Sequence, residues 1–196
     1  MRLVLASASP RRAELLASAG FTFETLAVDA DERLRPAEAP PTYVRRLAAE
    51  KSARALEVLS GSSPTVPDLV VLGADTVVVL DGEILGKPRD DEHAHAMLQR
   101  LSGQRHDVLT GVSLRTVADE ESLVEATSVW FAPLTPAAIA WYVSTGEGRD
   151  KAGGYAIQGL ASRFIPRIEG SYSNVVGLPV AAVADLLETI SGPHIG

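Results

Sequence analysis

The chain has 196 residues, 46% of them hydrophobic, a formal net charge of −7 and no cysteine. That length suits one large domain, or two lobes about one cleft, and a core that hides roughly 70% of the unfolded surface. The missing cysteines exclude disulfides, thiolate metal sites and cysteine nucleophiles.

Lys and Arg are dispersed and outnumbered by acids, which argues against a dedicated nucleic-acid binder with its basic face or tail. No run approaches the roughly 18 apolar residues of a membrane helix. The opening MRLVLASASPRR places its doubled arginine after a short apolar run, the reverse of a secretory signal. The expectation is a cytoplasmic protein with neither membrane nor nucleic acid as partner.

Leu3 to Ser7 reads as a short buried strand. Ser9 predicts an N-cap with Pro10 at the first helical position, and Gly20 stops the helix after Leu15 and Leu16. The acidic, proline-containing stretch 29–41 reads as a loop, followed by a helix over about 42–59 and a surface connection over 60–68. The apolar run 69–80 predicts a strand, Asp81-Gly82 a hairpin turn, and 83–86 the return, ended by Pro88. A helix over 90–101 is closed by Gly103, and strands over 106–117 and 122–131 join near Asp119 and Glu120. Thr135-Pro136 repeats the cap-plus-proline start for a helix to about Thr145. The glycine-rich, charged segment 146–159 lacks a clear period and reads as a mobile loop. Residues 163–168 suit a strand and 179–190 a last helix. Strands and helices mix irregularly without an internal repeat, which predicts an α/β protein with a mixed sheet.

Several residues could carry chemistry. Ser7, Ser9, Arg11 and Arg12 gather at a strand-to-helix junction. A helix N-terminus offers free N–H groups and partial positive charge, and Arg grips phosphate oxygens in pairs. The competing reading is an ordinary capped helix with solvated arginines. Asp75 interrupts the apolar run LVVLGADTVVVL, where an unpaired carboxylate is costly to bury. It is either a general base or metal ligand, or a buried acid satisfied by backbone donors. Gly73 beside it permits a bulge or a close ligand approach. Lys51 falls on the apolar stripe of Val44, Leu47, Ala48, Ala55 and Val58. It either snorkels to water or delivers a cation to a phosphate.

Lys87 stands in GEILGKP, which is one residue short between glycines for a Walker A loop and has Pro88 in place of its Ser or Thr. Asp31 and Glu32, in DERLRP, are candidate metal carboxylates or simply a solvated acidic turn. His93 and His95 point different ways on their helix and make a poor metal pair. The residues alone therefore describe a cationic, phosphate-binding α/β cleft holding one or more carboxylates. They do not name a reaction.

The stretches LASASPRRAELL, RLAAEKSARA, GADTVVVLDGEILGKP, LSGQRHDVLTGVSL and DKAGGYAIQGLASRFIPRIEGSYSNVVGLPV run in order along nearly the full length. Together they carry a resemblance to the Maf family. It implies a single domain over 1–196, an elongated, twisted mixed sheet flanked by helices, with two lobes around a deep cleft as in inosine triphosphatases. It also implies nucleoside triphosphate pyrophosphatase activity with Mg²⁺ or Mn²⁺, and a homodimer.

Within the family the sequence is similar to the branch acting on dTTP and UTP. That likeness makes Arg11, Thr76 and Gln158 specificity residues and Asp75 the proton acceptor. Glu32 and Asp75 become metal carboxylates, and Ser7, Ser9, Arg12, Lys51 and Lys87 phosphate ligands. One departure is AGGYAIQG, where relatives often read AGAYGIQG. The alternatives are a purine-directed relative, acting on 7-methyl-GTP or inosine triphosphate, and a cell-division regulator without turnover.

Overall fold

The computed structural model describes residues 1–62 and 68–191. In chain order the strands are β1 (Arg2–Ala6), β2 (Glu24–Thr25), β3 (Leu69–Leu80), β4 (Glu83–Leu85), β5 (Arg105–Arg115), β6 (Glu120–Trp130) and β7 (Arg167–Glu169). The helices are α1 (Pro10–Ser18), α2 (Pro40–Ser62), α3 (Asp91–Leu101), α4 (Pro136–Ser144), α5 (Tyr172–Val176) and α6 (Val180–Ser191). The sheet order is β2-β1-β3-β5-β6-β7, with β4 paired to β3. Pairing is parallel for β1 with β2 and β3, and antiparallel for β3 with β4 and β6 with β7, so the sheet is mixed as expected. Among the described residues, no helix is long and apolar enough to cross a membrane.

Two compact units emerge: Met1–Asp75 with Thr110–Glu125 and Gly177–Gly196, and Thr76–Leu109 with Ala126–Val176. In the first, β1 and β3 are buried on both faces, as parallel strands are when helices cover them. Leu3, Leu5, Val70, Leu72 and Ala74 pack with Leu16, Val183 and Leu187 on one side. Val4, Ala6, Leu69 and Val71 pack with Ala55 on the other. Alternation along β3 therefore places Gly73 and Asp75 on the face that carries α2.

Gly73 faces a close helix approach, not a bulge. A Cβ there would lie 2.2 Å from Ala48 O and 2.8 Å from Ser52 N. Gly111 on β5 does the same, at 2.2 Å from Val44 O. Ser52 and Ser113 join across this contact at 2.7 Å. The pair is completed by Ser113 donating to Glu120 and Arg115 donating to Ser52, with Arg115 and Glu120 paired to each other.

The second unit closes around Leu98, Leu101, Val129, Phe131, Ile139, Tyr142, Tyr155 and Phe164. His106 lies in this core, its Nε2 2.8 Å from the Tyr155 hydroxyl and its ring edge-on to Phe131. Burial pushes its pKa down to about 4, and its Nδ1 has no partner among the described residues.

Segment 146–159, expected to be a mobile loop, is instead packed. Gly153, Gly154, Tyr155, Ala156 and Ile157 are buried. Gly153 N–H donates to Gly86 O at 3.0 Å, and Glu147 accepts from Tyr142 Oη at 2.8 Å and Leu160 N at 2.9 Å. Gly153 has φ +70, and a Cβ there would meet Val78 Cγ2 at 2.8 Å, so glycine is required. Within AGGYAIQG, Gly154 takes φ +71 and Ala156 is 4% exposed, its N–H donating to Tyr142 Oη.

Other expectations need correction. Residues 163–168 are not one strand: a 3₁₀ turn occupies Leu160–Phe164 and β7 is shorter and later. The helix α2 begins at Pro40, where a proline is tolerated in the first turn, and it continues through residues 60–62 of the expected connection. Residues 63–67 of that connection lie outside the described residues. Neither β2 nor α5 is legible in the sequence. Val58 is 45% exposed and so leaves the apolar stripe of α2.

Candidate active site

Most of the expected phosphate and carboxylate residues come together in the first unit. The strand β1 ends at Ala6, and Ser7 follows it into the start of α1. Ser7 Oγ accepts from Arg12 Nη1 at 3.1 Å and from Ser9 N at 3.2 Å, which leaves its own proton for a further acceptor. Ser9 stands at the N-cap in an extended conformation, but its hydroxyl makes no capping bond, contrary to expectation. The first turn of α1 carries no acid, so an anion meets no competing carboxylate there.

Arg12 is buried, and its Nε donates to Gly177 O at 2.8 Å. Burial lowers its pKa, opposed by the carboxylates of Asp75 and Glu32 and aided by the charge of Arg11. Arginine remains charged through such shifts, so it is a fixed, poorly hydrated cation at the end of β1. Arg11, one position earlier, is partly buried.

Asp75 closes the site from β3. Its side chain is 12% exposed, and Oδ1 accepts from Lys51 Nζ at 2.6 Å. Lys51 is itself 10% exposed at the side chain and does not snorkel to water. The glycine at 73 makes this possible, because it lets the backbone of α2 settle on β3 two residues before the acid. The same ammonium lies 3.5 Å from Glu32 Oε1, whose side chain is 59% exposed. Two carboxylates thus converge on one cation.

Tyr43 and Arg46 belong to this arrangement and carry no motif that sequence reasoning could have used. Tyr43 Oη donates to Glu32 O at 2.8 Å. Burial, reinforced by the charges of Asp75 and Glu32, pushes its phenol up to about 12, so it remains a donor. Their one sequence signal is a spacing of three residues on α2, which puts them on one helix face.

Thr76, Lys87 and Gln158 lie in the second unit. Lys87 is exposed just beyond β4. Gln158 is exposed and lines a groove of about 430 Å³ with Ile157, Ser162, Ile165, Arg167, Ile168 and Tyr172.

A divalent ion can be judged against these donors. Mg²⁺ is commonly held by one or two carboxylates plus substrate phosphates, not by an all-protein cage. Among the described residues, no three or more His, Cys, Asp or Glu side chains gather as a metal cluster. Glu32 and Asp75 supply two hard oxygen groups around the Lys51 ammonium, the number of carboxylates such an ion takes when phosphates complete its shell.

A family model described as Maf-like protein matches residues 2–190. The chain belongs to the Maf family. A relative from Anaeromyxobacter dehalogenans (strain 2CP-C), named dTTP/UTP pyrophosphatase, is 54% identical over 98% of this chain and 95% of its own. One from Escherichia coli O157:H7 with the same name is 50% identical over 96% of this chain and 93% of its own. Among solved structures, the Ham1 protein of Staphylococcus aureus is similar with a TM-score of 0.46 at 15% identity, over 67% of this chain and 72% of that one.

Proposed function

We propose that this Maf chain hydrolyses nucleoside triphosphates, dTTP and UTP foremost, to the monophosphate and pyrophosphate. The observation that carries the reading is the buried Lys51–Asp75 contact beside Glu32 and Arg12, in a chain whose relatives bear that activity in their names. None of the relatives quoted is named for a purine nucleotide.

The chemistry follows from the groups present. Ser7, Ser9, Arg12 and the N-terminus of α1 take the phosphate oxygens. Glu32 and Asp75 would hold Mg²⁺ or Mn²⁺, which, when bound, draws charge from those oxygens. Asp75 receives a proton from the attacking water, whose oxygen bonds to the α-phosphorus. The bond from that phosphorus to the bridging oxygen breaks, and pyrophosphate leaves with the electron pair. Lys51, with Lys87 and Arg11, offsets the negative charge that grows in the transition state, the dominant contribution in phosphoryl transfer. Arg11, Thr76 and Gln158 read the base. An amide such as Gln158 pairs with both a donor and an acceptor on a pyrimidine edge. The family resemblance adds a homodimer, and the acidic charge weighs against nucleic acid as a partner.

Pyrophosphate release across canonical, methylated and deaminated nucleotides tests this. Preference for 7-methyl-GTP or inosine triphosphate would sink the pyrimidine assignment, and no release from any nucleotide would favour a regulator without turnover. Asp75→Asn is expected to cut turnover at least ~100-fold while leaving the fold intact. Near-normal turnover in that variant would remove Asp75 from the chemistry.

A further inference from the structure

Glu32 lies in an exposed coil between β2 and α2 that has little backbone bonding of its own. Leu26 N–H donates to Leu5 O near its start and Glu38 N–H to Arg35 O near its end. Its middle is held by side chains of α2. Arg46 Nη1 donates to Asp31 O at 3.0 Å, Tyr43 Oη to Glu32 O at 2.8 Å, and Arg46 Nη2 to Arg33 O at 3.1 Å. Three successive carbonyls, centred on Glu32, are thereby fixed from one helix face.

Arg46 does more than this. Its Nε and Nη2 grip the two oxygens of Glu38 at 2.6 and 2.9 Å, and Nη1 also reaches Glu50 at 3.2 Å. All five N–H donors of a planar fork are used, and its side chain is 10% exposed. Lysine has three donors and no fork, so it cannot reproduce the set. An exposed ion pair contributes little, but a half-buried guanidinium spanning five acceptors defines a geometry.

We infer that Arg46, helped by Tyr43, is a positioning residue that presents the Glu32 carboxylate to the site, touching neither nucleotide nor metal itself. The inference rests on the proposed pyrophosphatase reading, and it makes the Glu32 coil a preformed wall rather than a segment that orders on binding.

The test uses the full chain with Arg46→Gln, Arg46→Lys and the milder Tyr43→Phe, each alone and combined with Glu32→Gln. One readout ignores activity: tryptic cleavage of the Arg33–Leu34 bond, in the coil where Leu34 is 56% exposed. Cleavage is expected to rise at least about 5-fold in both Arg46 variants and less in Tyr43→Phe, since local opening sets such rates. The second is Mn²⁺ binding by spin resonance of the free ion, expected to weaken in Arg46→Gln. The third is kcat/KM for UTP, expected to fall about 10-fold in Arg46→Gln but under about 2-fold in the Glu32→Gln background, as residues acting as a unit are non-additive. Equal losses in both backgrounds, or unchanged cleavage, would overturn the positioning role. A wild type that releases no pyrophosphate, with Arg46 variants that still cleave faster, would instead reject the pyrophosphatase reading and keep the clamp.

Discussion

Gly73→Ala probes the contact on which the site is built. The added Cβ would lie 2.2 Å from Ala48 O and 2.8 Å from Ser52 N, both backbone atoms with no rotamer to yield. An ordinary carbon–oxygen contact needs about 3.3 Å, so α2 has to lift from β3 by about 1 Å. Overpacking of this kind costs about 1–3 kcal/mol. For a chain of this length that lowers Tm by roughly 3–10 °C. Lys51 directly precedes Ser52, so the lift stretches its 2.6 Å bond to Asp75 by a comparable amount. On the proposed chemistry, misplacing Lys51 against Asp75 by about 1 Å costs on the order of 100-fold in rate. Thermal unfolding and pyrophosphate release from UTP measure both effects. Gly111→Ala is the control, because its Cβ would lie 2.2 Å from Val44 O, two helical turns from Lys51. It should lose similar stability but under about 10-fold in rate. A Gly73→Ala protein with lowered Tm and kcat/KM near wild type would refute the claim that this approach sets the site. Equal rate losses in the two variants would refute it too.

Other consequences are open to measurement. The native core accommodates the neutral ring of His106, whose pKa sits near 4 against an unfolded value of 6.5. The stability that His106 contributes is therefore fully present above pH 6.5 and is lost as the pH drops towards 4, by about 2 kcal/mol between pH 7.5 and 5. Urea unfolding at the two pH values should show that difference between wild type and His106→Gln, and identical pH dependence in both would contradict it. Glu147→Ala strips the acceptor from Tyr142 Oη and Leu160 N. It should cost about 2 kcal/mol, read as a lower urea midpoint. Gln158→Ala should reduce activity unequally among bases, and a uniform loss across nucleotides would argue against base reading.

Much of the fold is legible because its signals are local. Ser9-Pro10 and Thr135-Pro136 mark helix starts, Asp81-Gly82 marks a turn, and the run 69–80 is long and apolar enough to be a buried strand. What fails is equally local. The strand β2 is two residues long and held by its pairing to β1, and α5 spans five, so neither produces a period. The segment 146–159 looks like a free loop because its glycines and charges are what loops contain. Those glycines instead serve positive φ and close packing, and Glu147 is consumed in bonds to Tyr142 and Leu160.

Residue order alone specifies the mixed α/β class, the likeness to the Maf family and the types of group available: hydroxyls, arginines, a lysine and carboxylates without thiols. Those are properties of composition, period and motif. It left Lys51 open between a snorkelling cation and a phosphate ligand, and Gly73 between a bulge and a ligand approach. The folded chain resolves these: Lys51 meets Asp75 and Glu32, Gly73 admits a helix backbone, and Arg46 bonds the coil on either side of Glu32. The reason is physical: these contacts join residues far apart in the chain, and whether a charge is buried and paired depends on which backbones approach closely enough to exclude water.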